Sequence, residues 1–485
     1  MVFSTIIFLC AFLPVTIIGY YLMPGRLKNY FLLFASLFFY AWGEPRFVWI
    51  MLASILLNYA LGMWIATCRN KESGGTAKAA ERQKKLVVTL AVVLNIGLLF
   101  VFKYLTFAME TVHRFLPEFP VVSIMLPIGI SFYTFQGLSY VIDVYRGEEV
   151  QKNPFQLALY ISMFPQLIAG PIVRYKDVCN SLYKRVHSAD KFAQGINRFV
   201  IGLAKKAILA NTMGELANSV MTGDFSVMST SVAWLGALAY TLQIYYDFSG
   251  YSDMAIGLGK IFGFEFMENF NYPYISRSVR EFWRRWHISL SGWFRDYLYI
   301  PLGGSRKGNV YLNLAIVFLA TGIWHGAAWG FLLWGIWHGC FVLLERFLTN
   351  KTSIAKRKNV LTSCLGWLYT MFVVVVGWVL FGLVDISQFG RYAAVMFGAG
   401  GNTFTAYGLR YYMSNQTIFY FVIALLACVP WRQAAEKLSV KLPELPEGIL
   451  FAGEILKRML ILVLLVVCFI FVINSSYNPF IYFRF

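Results

Sequence analysis

The sequence predicts an all-α polytopic membrane protein, and three observations support this fold class. Of the 485 residues, 58% are hydrophobic and only 14% are charged, which is too apolar for a soluble domain of this size. Several windows of about 20 residues carry no charge, the length that a helix needs to cross a bilayer. The net charge of +18 is concentrated in short loops between these windows, which indicates cytoplasmic loops and contact with anionic lipids rather than binding of nucleic acid.

Apolar segments recur along the whole chain and predict roughly twelve membrane spans. The basic loops 67–85 and 174–191 are predicted to be cytoplasmic by the positive-inside rule. Pro and Gly residues interrupt two of the segments, which predicts broken or re-entrant helices buried among their neighbours. No linker divides the chain, so a single domain over 1–485 is expected, with 476–485 as an extracytoplasmic aromatic tail. The predicted spans are 2–22, 29–43, 47–66, 86–108, 124–145, 155–173, 195–219, 230–260, a folded-back pair within 308–344, 361–384, 416–430 and 459–475.

The uncharged stretch from Gly308 to Leu344 is 37 residues long. As one helix it would be about 55 Å long, whereas a bilayer core is about 30 Å thick. We therefore expect the chain to turn back near Gly322–Gly330, which places His325 in the turn. An ionisable side chain at membrane depth is costly and indicates a functional site. The alternative is a neutral histidine that is hydrogen-bonded inside a helix bundle.

Other polar residues lie within the predicted spans. Asp143 and Arg146 are three residues apart and could pair on one helix face. Asp247 and Asp253 are six residues apart, so they do not share a helix face, and a helix-end or hydrogen-bonded role is favoured over an ion site. The seven cysteines are scattered without a CxxC motif, which predicts neither a disulfide framework nor a metal site.

The segment 271–307 interleaves basic and aromatic residues, with seven Lys and Arg between Arg277 and Lys307. This pattern is typical of amphipathic interfacial helices on the cytoplasmic side. Two interpretations remain open. The aromatic residues could form a lipid-facing belt, or the basic residues could form a lip for an anionic cofactor such as coenzyme A, whose phosphates suit arginine. Arg284, Arg285 and Trp286 are the candidate cofactor-binding residues.

Four motifs together resemble the membrane-bound O-acyltransferase family: TGIWHGAAWGFLLWG, REFWRRWHISLSGWFRDYLYIPLGGSRKG, FYTFQGLSYVIDVYRG and FPQLIAGPI. Within it, the chain is most similar to the bacterial alginate O-acetylation branch, and also to the teichoic acid D-alanylation membrane protein. The resemblance implies a bundle of about 11–12 transmembrane helices with re-entrant and interfacial helices around a central tunnel. The essential histidine of the family maps onto His325 and its second histidine onto His287. No family role maps onto His338, which is therefore expected to serve packing.

The resemblance also implies an activity: transfer of an acetyl group from a cytoplasmic donor, expected to be acetyl-CoA, towards a cell-surface or secreted polysaccharide. It implies no permanently bound cofactor, a bacterial inner-membrane location, and an extracytoplasmic partner of the SGNH-hydrolase type. The near-neutral pKa of histidine suits His325 to act as general base. The tail FIYFRF resembles the aromatic motif of a small companion protein in D-alanylation, which makes Tyr482 a candidate acyl carrier.

Three alternatives stay open at this point. The enzyme could acylate a lipid, a protein or a cell-wall polymer directly. The protein could be a transporter without covalent chemistry, since broken helices and intramembrane aspartates suit either function. The aromatic tail could be an interfacial anchor instead of an acyl carrier.

Overall fold

The computed structural model describes residues 1–72, 77–168, 170–351, 359–401, 405–431 and 446–475. The prediction of an all-α protein is confirmed, because the described residues form helices and no β-strand. Short π-helical or 3₁₀ turns lie at Phe8–Phe12, Phe100–Tyr104, Lys205–Ala210, Phe225–Val227, Pro273–Ile275 and Arg295–Tyr299. The α-helices are Leu13–Leu22, Lys28–Gly43, Val48–Glu72, Ala77–Leu99, Leu105–His113, Ile130–Arg146, Pro154–Ser162, Phe164–Leu167, Tyr175–Tyr183, Ala189–Ala204, Asn211–Met221, Thr230–Ile261, Val279–Arg285, Ile288–Phe294, Val310–His325, Trp329–Lys351, Val360–Gly382, Ile386–Met396, Leu409–Tyr412, Asn415–Ala427 and Glu447–Asn474.

Several helices are long and apolar enough to cross a bilayer. In the described parts of the chain there are five: Val48–Arg69, Ala77–His113, Trp329–Leu348, Val360–Gly382 and Phe451–Asn474. Shorter apolar helices lie at Phe8–Leu22, Val310–His325 and Asn415–Ala427. These helices support a multi-pass membrane protein.

The two predicted broken segments are irregular, as expected from their Pro and Gly residues. The first becomes helical only at Ile130, after Gly129 with φ of 76°. A Cβ at Gly129 would come within 2.9 Å of the carbonyl oxygen of Leu167, so glycine is required for this close approach. In the second segment, the helix Pro154–Ser162 stops and one short turn, Phe164–Leu167, follows.

The residues form two compact units. The first comprises the described residues of Met1–Phe199, Met254–Met267 and Arg295–Tyr297, and the second those of Val200–Asp253, Glu268–Phe294 and Leu298–Phe485. The single domain over 1–485 stays a prediction.

In the first unit, Asp143 and Arg146 bind two different residues of the same π-helical turn, Tyr297 and Asp296. Tyr297 donates a hydrogen bond of 2.8 Å to the Asp143 carboxylate, and Arg146 donates one of 2.8 Å to the backbone carbonyl of Asp296. The Asp296 carboxylate in turn binds the Arg174 guanidinium at 2.5 Å. Both residues therefore fix this turn to the helix Ile130–Arg146, a role that their spacing alone did not indicate.

In the second unit, Asp247 and Asp253 are neutralised by two adjacent lysines. Lys206 lies 2.6 Å from Asp247, and Lys205 lies 2.7 Å from Asp253. Buried charges are retained when they are paired and hydrogen-bonded. The structure therefore supports a charge-paired structural role for both aspartates, and Asp253 also accepts a hydrogen bond from Lys205.

The uncharged stretch forms a helical hairpin in the second unit, with the helices Val310–His325 and Trp329–Lys351. The predicted turn is confirmed and lies at Gly326–Ala328. Glycines allow the two helices to pack closely: a Cβ at Gly322 would come within 2.6 Å of the Phe331 carbonyl oxygen, and one at Gly335 within 2.6 Å of the Phe318 carbonyl oxygen. The hairpin therefore fixes the position of His325 through backbone contact rather than through a flexible loop.

Candidate active site

His325 is the last residue of its helix and is buried. Gly326 follows it in an extended conformation, so the chain leaves the helix immediately after the imidazole. Three aromatic rings surround His325, with centroid distances of 5.0 Å to Trp324, 4.9 Å to Trp334 and 5.2 Å to Phe381. The imidazole therefore lies in an apolar, rigid environment at the turn of the hairpin.

His287 joins two short helices, Val279–Arg285 and Ile288–Phe294, and has a positive φ of 45°. This conformation is uncommon for a residue other than glycine and persists where the surroundings enforce it. The enforcing residue is Asn269, whose Oδ1 lies 3.0 Å from Nδ1 of His287 and accepts hydrogen bonds from the Ser289 amide at 3.2 Å and the Ser289 hydroxyl at 2.8 Å. Asn269 also donates a 3.0 Å hydrogen bond to Ser252.

These contacts determine which nitrogen of His287 carries the proton. The Ser289 backbone N–H can only donate, so the Asn269 atom that it contacts is the carbonyl oxygen. That oxygen accepts, so Nδ1 of His287 donates and Nε2 keeps its lone pair. Nε2 is buried and has no hydrogen-bond partner in the part of the chain that the structure describes. His287 therefore offers a hydrogen-bond acceptor to a bound molecule.

Burial also keeps His287 neutral. The residue lies outside the apolar helices that could cross a membrane, and burial lowers its pKa to about 3. Desolvation disfavours the charged imidazolium, which has no carboxylate beside it to offset this cost. The acceptor on Nε2 is therefore present throughout the physiological pH range.

Three histidines and two tryptophans form a continuous row in the second unit. Trp324 contacts His287 at 6.1 Å and His325 at 5.0 Å, and Trp334 contacts His325 at 4.9 Å and His338 at 5.1 Å, measured between ring centroids. We call these five residues the histidine–tryptophan row. The structure thus brings His287 and His325 next to the same indole ring, although the two histidines are 38 positions apart in the sequence (325 − 287 = 38).

His338 belongs to the same row, although the sequence indicated only packing. It is completely buried, and neither ring nitrogen has a hydrogen-bond partner within the described ranges. Nε2 fits against the next helix because residue 377 is glycine, where a Cβ would come within 2.5 Å of it. Buried polar atoms without partners are rare in folded proteins. His338 packs among the rings of the row, and a role beyond packing stays a hypothesis that only the repeat of Trp-His-Gly at 337–339 could have indicated.

The predicted cofactor-binding residues occupy different environments. Arg284 is exposed, whereas Arg285 binds Glu281 at 2.9 Å and donates to the Asn271 carbonyl. Trp286 is buried and packs on Trp378, with a centroid distance of 4.6 Å. A lipid-facing belt is therefore wrong for Trp286, which is part of the aromatic packing next to the row.

A single carboxylate positions the helix that carries these residues. Glu345 accepts hydrogen bonds from the backbone amides of Val279 at 2.6 Å and Arg280 at 3.0 Å, the first residues of the helix Val279–Arg285. A negative charge at this end satisfies unpaired amides and the helix dipole. Glu345 thus ties the helix that precedes His287 to the hairpin that carries His325. The remaining candidate, Tyr482, lies outside the described residues.

Comparison with known proteins identifies the family to which the chain belongs. Residues 34–384 match the membrane-bound O-acyltransferase family. The chain belongs to that family. Membership makes the protein an O-acyltransferase of the membrane and argues against the transporter alternative. His287 and His325 both lie within the matched region.

Individual relatives share much of the chain. The chain is 39% identical to the probable alginate O-acetylase AlgI of Azotobacter vinelandii, with all of both chains covered. It is 33% identical to the peptidoglycan O-acetyltransferase of Helicobacter pylori, over 83% of this chain and 80% of that one. A more distant relative is the teichoic acid D-alanyltransferase of Bacillus subtilis, 28% identical over 44% of this chain and 57% of that one.

Proposed function

We propose that this O-acyltransferase moves acetyl groups for the O-acetylation of a cell-surface or secreted polysaccharide. The observation that carries the proposal is that His287 and His325 both lie next to the Trp324 ring, in a chain that is similar to a probable alginate O-acetylase. Direct acetylation of a cell-wall polymer is the second candidate, and the similarity to a peptidoglycan O-acetyltransferase supports it. The proposed location is the bacterial inner membrane.

The proposed chemistry is a single acyl transfer. An acceptor hydroxyl attacks the carbonyl carbon of a thioester, the new C–O bond forms, and the C–S bond breaks to release the thiol. His325 takes the proton from the hydroxyl as general base, and that proton then passes to the departing sulfur. Nε2 of His287 accepts a hydrogen bond from an O–H or N–H group of a reactant and orients it.

The proposed donor is cytoplasmic acetyl-CoA, which is a substrate and not a resident cofactor. Arg284 is exposed in the basic segment and is suited to bind phosphate oxygens. Arg285 shares its charge with Glu281 and so contributes less attraction. A polar donor of this kind does not enter hydrocarbon, which supports a protein-lined route from the cytoplasm to the histidines.

The proposed acceptor on this chain is Tyr482. Its phenol is more acidic than a serine hydroxyl, so removal of its proton is easier. The acetyl group would form an ester with the phenol oxygen, and a partner acetyltransferase of the SGNH type would then transfer it to the polymer. The support is the aromatic sequence FIYFRF and the basic pair Lys457–Arg458, which predicts an extracytoplasmic tail.

Replacement of His325 by Ala tests the function in cells that depend on this protein for polymer acetylation. We expect loss of polymer O-acetyl groups with normal membrane levels of the protein. His113→Ala is the matched control, because His113 is an exposed histidine whose Nδ1 lies 2.8 Å from the Phe119 carbonyl oxygen. Full polymer acetylation by the His325 variant would rule out the catalytic assignment.

The donor site has a separate test. Arg284→Gln is expected to raise the KM for acetyl-CoA several-fold with little change in kcat, because the arginine contributes binding energy and not chemistry. Arg410→Gln is the control, since Arg410 is an exposed arginine outside the basic segment 271–307. An unchanged KM would indicate that Arg284 faces lipid headgroups instead.

A further inference from the structure

A cavity lies in the same unit as the histidine–tryptophan row, but none of the residues of the row lines it. Its volume is about 660 Å³. The lining comes from the helix Thr230–Ile261, the segment Tyr274–Arg277, the first half of Val360–Gly382 and the end of Asn415–Ala427. We call this cavity the arginine groove, after Arg277 at its polar end.

The walls of the arginine groove are fixed by direct contacts. Gly366 allows the segment to lie on the helix, because a Cβ there would come within 2.7 Å of the Arg277 carbonyl oxygen. Trp367 donates a 2.8 Å hydrogen bond to the Tyr274 carbonyl, and the Tyr274 hydroxyl donates one of 2.6 Å to the Thr241 carbonyl. The groove is therefore a built feature and not a gap between loosely packed helices.

The side chains along the groove are apolar, and several are exposed. Val360, Trp367 and Leu425 are exposed at 81%, 42% and 48% of their surface. On apolar helices that could cross a membrane, such surface faces hydrocarbon. The groove is thus open to lipid along its length.

One end of the groove is polar and positively charged. The Arg277 guanidinium donates a 3.0 Å hydrogen bond to Ser363 and has no carboxylate partner among the described residues. Glu281 accepts from the backbone amide of Arg277, and its charge is shared with Arg285 at 2.9 Å. These three side chains therefore carry an excess of one positive charge at the mouth of the groove.

The length of the groove corresponds to one leaflet. On the helix Val360–Gly382 and the Asn359 that precedes it, the lining runs from Asn359 to Met371. These positions are twelve residues apart (371 − 359), which corresponds to about 18 Å at about 1.5 Å per residue. Half of a bilayer core is about 15 Å. The basic sequence before Asn359 predicts that this end is cytoplasmic, the side where anionic lipids are enriched.

We propose that the arginine groove binds an anionic phospholipid, with an acyl chain along the groove and the phosphate on Arg277. Arginine recognises phosphate through charge-assisted hydrogen bonds, and Ser363 and Asn359 supply further polar groups. The bound lipid contacts Tyr274, whose ring centroid lies 6.3 Å from that of Phe282 and 6.2 Å from that of Trp286. This assignment does not depend on the proposed acceptor or donor.

A thiol-footprinting experiment on the purified full-length protein tests the proposal. Cys364 is an exposed free thiol that lines the groove, and Cys340 is an exposed free thiol outside it. The protein is placed in vesicles of phosphatidylcholine, with or without phosphatidylglycerol, and treated with a membrane-permeant maleimide. We expect phosphatidylglycerol to slow modification of Cys364 several-fold while the rate at Cys340 stays the same.

Arg277→Gln supplies the decisive comparison. A basic residue near an anionic surface contributes about 1 kcal/mol, so we expect the variant to need about fivefold more phosphatidylglycerol for the same protection. Lys457→Gln is the control, because Lys457 is exposed and lies outside the groove. Equal rates at Cys364 in both vesicle types would overturn the proposal, and so would protection that persists unchanged in the Arg277 variant. Protection of Cys364 by coenzyme A instead of lipid would assign the groove to the donor and also overturn it.

Discussion

Replacement of Asn269 by Asp is expected to add an acid sensitivity at His287 to that of the native enzyme. In the native site, the amide oxygen of Asn269 lies 3.0 Å from Nδ1 of His287 and bears no charge. Burial lowers the pKa of His287 to about 3, so this histidine does not titrate between about pH 5 and pH 8. The substitution keeps the shape of the side chain and adds a negative charge at hydrogen-bond distance.

The expected effect follows from the distance between the charges. A carboxylate and an imidazolium about 4 Å apart attract each other by about 4 kcal/mol at an effective dielectric constant of 20. That energy favours the protonated imidazole by roughly a thousandfold. The pKa of His287 therefore rises towards the neutral range, and Nε2 becomes protonated as the pH is lowered. Because the proposed reaction uses Nε2 as an acceptor, activity is expected to fall as the pH is lowered.

The assay is the initial rate of acetyl transfer by the variant, divided by the native rate at each pH. The ratio removes every pH-dependent contribution that the two proteins share. We expect the ratio to drop at least tenfold between about pH 8 and pH 5. Asn309→Asp is the matched control: Asn309 is an exposed cap of the helix that ends at His325, and Asp caps helices as well as Asn does. A ratio that is flat across this range would refute the assigned tautomer and role of His287.

Three further predictions concern packing, charge and the tail. Gly377→Ala is expected to lower the free energy of unfolding by about 1–3 kcal/mol, measured by thermal shift, because the new Cβ would come 2.5 Å from His338. Gly390→Ala is its control, because a Cβ at Gly390 would meet nothing within 4 Å. Lys206→Met leaves the Asp247 charge buried and is expected to cost about 3–5 kcal/mol by the same assay, with most of the loss recovered in the double variant with Asp247→Leu. Tyr482→Phe is expected to abolish polymer acetylation without loss of protein from the membrane, and normal acetylation would favour the aromatic anchor.

The sequence was sufficient for the features that depend on local patterns. The length of the uncharged stretch placed the turn at His325, because a helix of that length does not fit a bilayer. Pro and Gly residues indicated the broken helices, since each acts on the backbone within one turn. The family motifs then directed attention to His287 and His325.

Partners that are distant in sequence could not be predicted. Lys206 and Asp247 lie in different helices, and their pairing depends on the register of packing between them. Asn269 has no motif around it, although it determines the tautomer of His287. The alternation of basic and aromatic residues left a lipid-facing belt and a cofactor-binding lip both open, and it did not indicate that tertiary packing buries Trp286.

The central claim is that His325 acts as the general base when an acetyl group passes from a thioester to a hydroxyl. The most direct measurement is the release of free thiol and the appearance of labelled ester when purified protein in vesicles is given labelled acetyl-CoA, compared between the native protein, His325→Ala and His113→Ala. Our account predicts that the native protein and His113→Ala release thiol and form ester in equal amounts, whereas His325→Ala, folded as judged by thermal unfolding, does neither. Ester formation by His325→Ala at the native rate would contradict it.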